Sequence, residues 1–482
     1  MRDAVISAPL PPPPSPLATA RKRPPPRWGV QTGLLQTRQP AFWLFCACLV
    51  LGLLYGLLLQ LAELVSSPSG WLVGWLLLLL YIAPVLLVIR WLDSYEPEPR
   101  SLMIGAFLWG FLVAPLFAGL GNDLWGVVIA KLAGAEFASA WSGALTAPLI
   151  EETYKFLGVA VLFLIARPEF DDLLDGFVYG ALVGLGFAVA EDLMYFIFNF
   201  GGNVGGVIDG FYLRVVLSGL YGHVTFTGIS GIGLAYFVSH KHDRPLGRRL
   251  LVAAGLLLLA MFAHFFWNSP LLDWLPSVEL YTAIKGLPFL IGLIVLLYLA
   301  RRRENDALAE VLAGEVGQGG LLPEELDALR GWRARRSAAA RVRQAAGPAA
   351  EQLFKQLQRE QIRLALISSA VESVDDAALL MQRARGQAMR AQLWQMPGVA
   401  GALGLAPDSA AAALAAGPPH WSANATIAPA GAWAFATPDW NDRRRLALPP
   451  SVPMQVMQQR DSWVLVRAAS GWLGWTDVRY LA

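Results

Sequence analysis

The chain has 482 residues, of which 55% are hydrophobic and 15% charged, with a formal net charge of +2. A mean hydropathy of +0.47 is too apolar for an ordinary soluble protein of this length. The near-neutral charge excludes a nucleic-acid protein, which works through a basic surface.

The first 40 residues, with "PPPPSP" and "RKRPPP", read as a disordered tail without the pattern of a secretory signal peptide. Eight apolar blocks follow, at 41–62, 71–92, 101–120, 141–166, 173–199, 211–238, 249–268 and 278–300. Blocks of about 20 apolar residues cross a hydrocarbon core of roughly 30 Å. Backbone groups in lipid must bond within their own segment, so the blocks are predicted as helices. Cys46 and Cys48 lie two apart in the first block. On a helix they point to different sides and read as free thiols. Residues 121–140 read as a connector or a short interfacial helix.

Basic residues in short loops set orientation. Arg21, Lys22, Arg23, Arg27 and Arg38 precede the first block. Lys241, Arg244, Arg248 and Arg249 follow the sixth, and Arg301, Arg302 and Arg303 follow the eighth. The loops 201–210 and 269–277 have no Lys or Arg. Eight spans put all three basic regions on one side, so both termini are predicted cytoplasmic. Residues 301–396 then read as a soluble, cytoplasmic helical region, 397–423 as an Ala/Gly/Pro linker, and 424–482 as short strands with tight turns. The predicted fold is an all-α polytopic membrane bundle of about eight transmembrane helices (41–300), a soluble helical segment and a small all-β barrel.

Ionisable residues inside a span are costly and usually functional. Four successive blocks carry them. Glu151, Glu152 and Lys155 lie in the fourth, where the i, i+4 spacing lets Glu151 and Lys155 pair. Phe187, Glu191 and Tyr195 form one stripe of the fifth. His223 lies in the sixth with Thr227 one turn on, and His264 and Asn268 lie four apart in the seventh. At about 1.5 Å per residue, all four sets fall between the midplane and the outer face, as one site shared by four helices requires. Tyr154, Tyr179 and Tyr221 read as packing residues, Asp192 as pointing away from Glu191, and Asp175 as solvated. His240, His242 and His420 lie outside the spans.

The residue types suit hydrolysis. A carboxylate in an apolar cavity is a better general base, a neighbouring lysine keeps a second carboxylate charged, and histidine with an amide can stabilise an oxyanion. The same His and Glu residues could instead hold a zinc, and spacing does not choose between the two, since no H-E-x-x-H pair is present.

At these residues the chain resembles the PrsW family of intramembrane proteases, related to the CAAX-protease and bacteriocin-processing superfamily. The resemblance covers about residues 80–300. It is carried by "LDSYEPEPRSLMIGAFLWG", by "EETYK" at Glu151, Glu152 and Lys155, and by "FAVAEDLMY" through Phe187, Glu191 and Tyr195. His223 and "HFFWN", with His264 and Asn268, complete it. It implies hydrolysis of peptide bonds in a membrane-anchored protein substrate within an inner (plasma) membrane. Glu151 would activate the water, and His264 and Asn268 would form the oxyanion site. Glu152 would be a further catalytic residue, and Lys155, Glu191, Tyr195 and His223 would support them, with Glu151, His223 and His264 as ligands if a zinc is bound. The last strands, with "SWVLVRAASGWLGWTDVRYL", resemble a bacterial Src-homology-3-like barrel, which implies a peptide ligand. The competing readings are a proton- or ion-coupled transporter, against which no internal repeat is visible, and an inactive membrane scaffold.

Overall fold

The computed structural model describes residues 32–93, 97–219, 222–316, 320–370 and 377–404. In the C-terminal part it describes 425–427, 432–435, 445–448, 453–468 and 473–481. Most of the expected N-terminal tail and linker, with Tyr221 and His420, lies outside the described residues. The chain divides into two compact units at Asp306/Ala307.

In the first unit, α1 (Pro40–Ser66) and α2 (Pro68–Leu92) each begin with proline, whose missing N–H costs nothing in a first turn. The Ser67 side chain caps α2 by accepting from Gly70 N at 3.2 Å. The third helix, α3 (Arg100–Ala133), runs 34 residues and contains a π-helical stretch, Trp109–Val113. It therefore absorbs most of the expected connector 121–140. The chain reverses at Gly134, whose φ of 91° is available to glycine without a Cβ clash, and continues as α4 (Ala135–Ile165). Helix α5 (Leu173–Phe198) starts with a capping box between Asp172 and Asp175. Then come α6 (Val204–Phe211), a π-helical turn at Tyr212–Val216, α7 (His223–Ser239), α8 (Leu246–Asn268) and α9 (Val278–Val316).

Among the described residues, six helices are long and apolar enough to cross a membrane: α1, α2, α3, α5, α8 and α9. The expected count of eight is not reached on this measure, for two physical reasons. Helix α4 carries Glu136, Glu151, Glu152 and Lys155, and α7 has 17 residues because it begins only at His223. The expected single block 211–238 is thus a π turn, a break containing Gly219 and Gly222, and a shorter helix. His223 is delivered by a helix start rather than from mid-helix.

Helix α5 is the centre of this unit, with 89% of its apolar window buried. A helix apolar all round belongs inside a bundle. It meets α7 through Gly176, Gly180 and Gly184. A Cβ at Gly184 would lie 2.3 Å from His223 O and one at Gly180 would lie 2.3 Å from Thr227 O. Small residues at a helix crossing allow this backbone approach. By contrast, α1 and α2 expose Leu54, Leu58, Leu80 and Leu87.

The second unit holds helices α10 (Pro323–Leu329), α11 (Gly331–Ala370), α12 (Ala377–Trp394) and α13 (Val399–Ala402). Helix α11 breaks at Gly347, φ 84°, and folds back on itself. Six short antiparallel strands follow: β1 (Ala425–Thr426), β2 (Ala432–Phe435), β3 (Arg445–Leu448), β4 (Pro453–Arg460), β5 (Trp463–Ala468) and β6 (Leu473–Asp477). They form one sheet in the order β1-β4-β5-β6-β2-β3. The β4–β5 turn uses Asp461 at φ 57°, where Asp is tolerated. The expected small C-terminal β region is present as this sheet.

Candidate active site

Four helices bring the predicted polar residues together. Glu151, Glu152 and Lys155 share one face of α4. Glu152 and Lys155 are fully buried, and Glu151 and His264 are nearly so. Lys155 Nζ donates to Glu152 Oε1 (2.8 Å), Glu151 Oε2 (3.2 Å) and His223 Nδ1 (2.8 Å). It also sits 3.7 Å above the centre of the Phe187 ring, a favourable cation–π position. Glu152 accepts from His264 Nδ1 (3.0 Å) and Thr227 Oγ1 (3.2 Å). With Nδ1–H committed to Glu152, the His264 lone pair is at Nε2, and Nε2 lies 3.8 Å from Glu151 Oε2. His223 Nε2 donates to Glu191 Oε2 (2.9 Å). The two imidazoles meet edge to face at 5.1 Å, and Phe226 stacks on His264.

Asn268 lies one turn beyond His264, but its amide donates to Gly143 O (3.2 Å) and it stays exposed. Tyr195 reaches the cluster indirectly, with its ring 3.9 Å from the Arg214 guanidinium carbon.

Three participants escaped the sequence reading. Arg214, on the π turn, donates to Glu191 Oε2 and Asp192 Oδ1, both at 2.6 Å. Asp192 therefore joins the network it was expected to point away from, because one guanidinium spans adjacent carboxylates. Asn122, on α3, donates to Glu151 Oε1 (3.0 Å), while its own Oδ1 is buried without a hydrogen-bond partner. The block assigned to a connector contains this residue. Lys285, on α9, donates to Ser269 O (2.6 Å) and Trp267 O (3.3 Å), holding the end of the helix that carries His264.

A second polar group lies at the other ends of α2 and α5. Asp93 accepts from Glu98 N (2.9 Å), and Tyr179 O–H donates to Glu98. Burial pushes the Asp93 carboxyl up to about 7 and holds Glu98 well above the usual carboxylate range. Tyr179, expected to pack, thus also carries a hydrogen bond. Asp175 is half-buried and accepts from Asp171 N and Asp172 N, because it closes the α5 capping box. His240 is buried and stacks on Tyr236.

The donor set suits a divalent metal. One ligand atom each from Glu151, His223 and His264 lie within 4.8 Å of one another. Each imidazole has a carboxylate behind it, as metal-bound histidines do. Four carboxylates (Glu151, Glu152, Glu191, Asp192) are paired with only two basic side chains (Lys155, Arg214). Two nitrogens and one oxygen match zinc chemistry. Lys155 would have to leave His223 Nδ1 for that nitrogen to act as a ligand.

The PrsW family intramembrane metalloprotease model matches residues 98–301. Protease PrsW of Geobacillus kaustophilus is 33% identical over 185 residues, 38% of this chain and 70% of its own length. Protease PrsW of Clostridioides difficile is 30% identical over 196 residues, 39% of this chain and 76% of its own length. No solved structure matches. With six apolar helices the chain is an integral membrane protein, and by these relationships it belongs to the PrsW family and is an intramembrane protease.

Proposed function

We propose that the cluster of Glu151, Glu152, Lys155, His223 and His264 is the hydrolytic centre, acting on a membrane-anchored protein substrate. The observation that carries this is the convergence of four helices on buried, mutually bonded His and Glu side chains. Such groups are expensive in a membrane bundle unless they do chemistry. Glu151 takes a proton from the attacking water as its oxygen bonds the scissile carbonyl carbon, and returns it to the leaving nitrogen. Asn122 and Lys155 hold the two oxygens of Glu151 in place. His264, once Nε2 takes up a proton while Nδ1–H stays on Glu152, and the Asn268 amide, once turned from Gly143, donate to the developing oxyanion. Glu191 fixes His223, with Arg214 and Tyr195 behind it.

The metal reading rests on the same donors. Glu151, His223 and His264 would hold a zinc-class ion, which would supply Lewis-acid activation of water and carbonyl. Metal content of the purified protein decides between the two. One equivalent in wild type, lost in His264→Ala and Glu151→Ala, with cleavage blocked by a chelator, supports the metal arm. Chelator-resistant cleavage with no metal supports Glu151 alone.

We further propose that α4 and α7 also cross the bilayer. Helix α4 is more polar and α7 shorter than the other spans because their polar residues and late start serve the site. Eight spans place the basic segments and both termini in the cytoplasm and the site in the outer half. On the sequence resemblance, the C-terminal sheet is proposed to be a Src-homology-3-like barrel that takes a peptide ligand.

A further inference from the structure

The second unit carries an arginine-rich surface that hydrolysis does not use. Between Arg330 and Arg343 the sequence reads RGWRARRSAAARVR, six arginines with no acidic residue. In α11 the helical repeat puts Trp332, Arg336 and Arg343 on one face. The break at Gly347 then folds the return limb against them, bringing Lys355 and Glu351 alongside. The result is an open groove of about 840 Å³ whose lining includes Trp332, Arg335, Arg336, Arg343, Glu351 and Lys355. Its floor is small, with Ala339 buried and Ala340 exposed, so the aliphatic stems of the arginines can lie along it.

The charge is unbalanced. Glu351 is the one carboxylate among these residues, and it is shared by Lys355 (2.6 Å) and Arg343 (3.5 Å). Four cations therefore face one anion. Arg343 and Lys355 remain half or more exposed. Trp332 is 44% exposed beside Arg336, whose guanidinium carbon lies 5.9 Å from its ring. An exposed tryptophan among arginines is the composition of a surface that rests at the lipid headgroup level.

The occupant follows from tethering. The groove lies on the same chain as the apolar helix α9, and residues 301–330 separate the apolar part of that helix from α11. A bilayer is thus always within reach of it at high effective concentration. Each cation of a basic cluster that follows a membrane helix strengthens its attraction to anionic lipid about fivefold. A soluble acidic peptide or a nucleic acid would lack the tether.

We propose that this groove docks on anionic phospholipid headgroups, so that the helical unit lies on the membrane only where anionic lipid is present. This is independent of the hydrolytic centre.

The test uses the full chain in lipid nanodiscs. Cys46 and Cys48 are replaced by serine, and a fluorophore is placed on Gln344→Cys at the groove edge. Discs contain phosphatidylcholine with a nitroxide-headgroup quencher, with or without phosphatidylglycerol. The expected result is deeper quenching with phosphatidylglycerol, reversed by high salt. Arg336→Gln/Arg343→Gln/Lys355→Gln lowers the docking equilibrium constant by roughly two orders of magnitude, from the per-cation value above. Arg336→Lys/Arg343→Lys keeps it, because the lipid surface reads charge rather than a fork of donors, and this variant controls for folding. Equal quenching in both disc types, or undiminished lipid dependence in the triple glutamine variant, overturns the proposal. So does loss of the quenching on adding free glycerol phosphate, which identifies a soluble-anion site, or on adding polyglutamate at matched ionic strength, which identifies an acidic-peptide site.

Discussion

Lys155 offers the sharpest test of how the cluster is held together. Its ammonium is fully buried and contacts Glu152, Glu151 and His223 within 3.2 Å. Lys155→Met keeps the stem and removes the charge, leaving two neighbouring carboxylates without their cation. Removing one partner of a buried pair costs about 3–5 kcal/mol, because the other charge stays buried and uncompensated. For a unit of this size each kcal/mol moves the melting temperature by roughly 2–4 °C, so a fall of about 10 °C is expected. Adding Glu152→Gln removes one of the stranded charges and restores part of that loss, a coupling on the order of 1–3 kcal/mol. Unfolding can be followed by a thiol-reactive dye at Cys46 and Cys48, both free and half-buried. Equal melting temperatures for Lys155→Met and wild type would refute the shared-cation arrangement. So would a double variant whose loss equals the sum of the singles.

Other consequences are open to direct measurement. Gly184→Leu forces α7 off α5 at His223 and should abolish cleavage, with an overpacking cost of about 1–3 kcal/mol. Gly255→Leu, where nothing lies within 4 Å of the added Cβ, should leave cleavage intact. Arg214→Gln releases Glu191 and should cut the cleavage rate by roughly 10–100-fold, as loss of a group behind a ligand does. An unchanged rate means that Arg214 does not position His223. Stability should fall as pH rises from about 5 through 7, because folded Asp93 keeps its proton up to about 7 while the unfolded carboxyl has already lost it. Asp93→Asn should flatten that slope, and a slope unchanged in the variant assigns it to other groups. A cysteine at Gly205 should react with an impermeant reagent added outside intact cells. Protection there, with labelling only after lysis, would reverse the proposed topology.

Much of the site was legible because membrane chemistry makes polar residues conspicuous. Glu151, Glu152, Lys155, His223 and His264 each interrupt an apolar run, and the cost of placing them there is the signal. Arg214 and Asn122 were harder to see. Arg214 is the fourth residue of the block 211–238, and only the π turn aims it at Glu191. Asn122 falls in a stretch with the glycines and acidic residue of a loop, yet α3 continues through it because α4 packs along its length. The helix limits failed for a related reason. Hydropathy marks where lipid lies, whereas the end of α3 is set at Gly134 and the start of α7 by the Gly222–His223 break. The strands were readable from alternation and turn residues, as in β4 and β5 around Asp461. Their order in the sheet depends on long-range pairing that no local pattern encodes.

The central claim is that the buried cluster cuts the peptide bond through Glu151. It is tested most directly by cleavage of a co-expressed single-span reporter in membranes containing wild type or Glu151→Gln at equal abundance and equal melting temperature. Glu151→Gln retains the shape of the side chain and its contact with Asn122, and removes the group that takes the proton. The account predicts product with wild type and none above background with Glu151→Gln. Cleavage at the wild-type rate in Glu151→Gln membranes, absent from membranes lacking the protein, would contradict it.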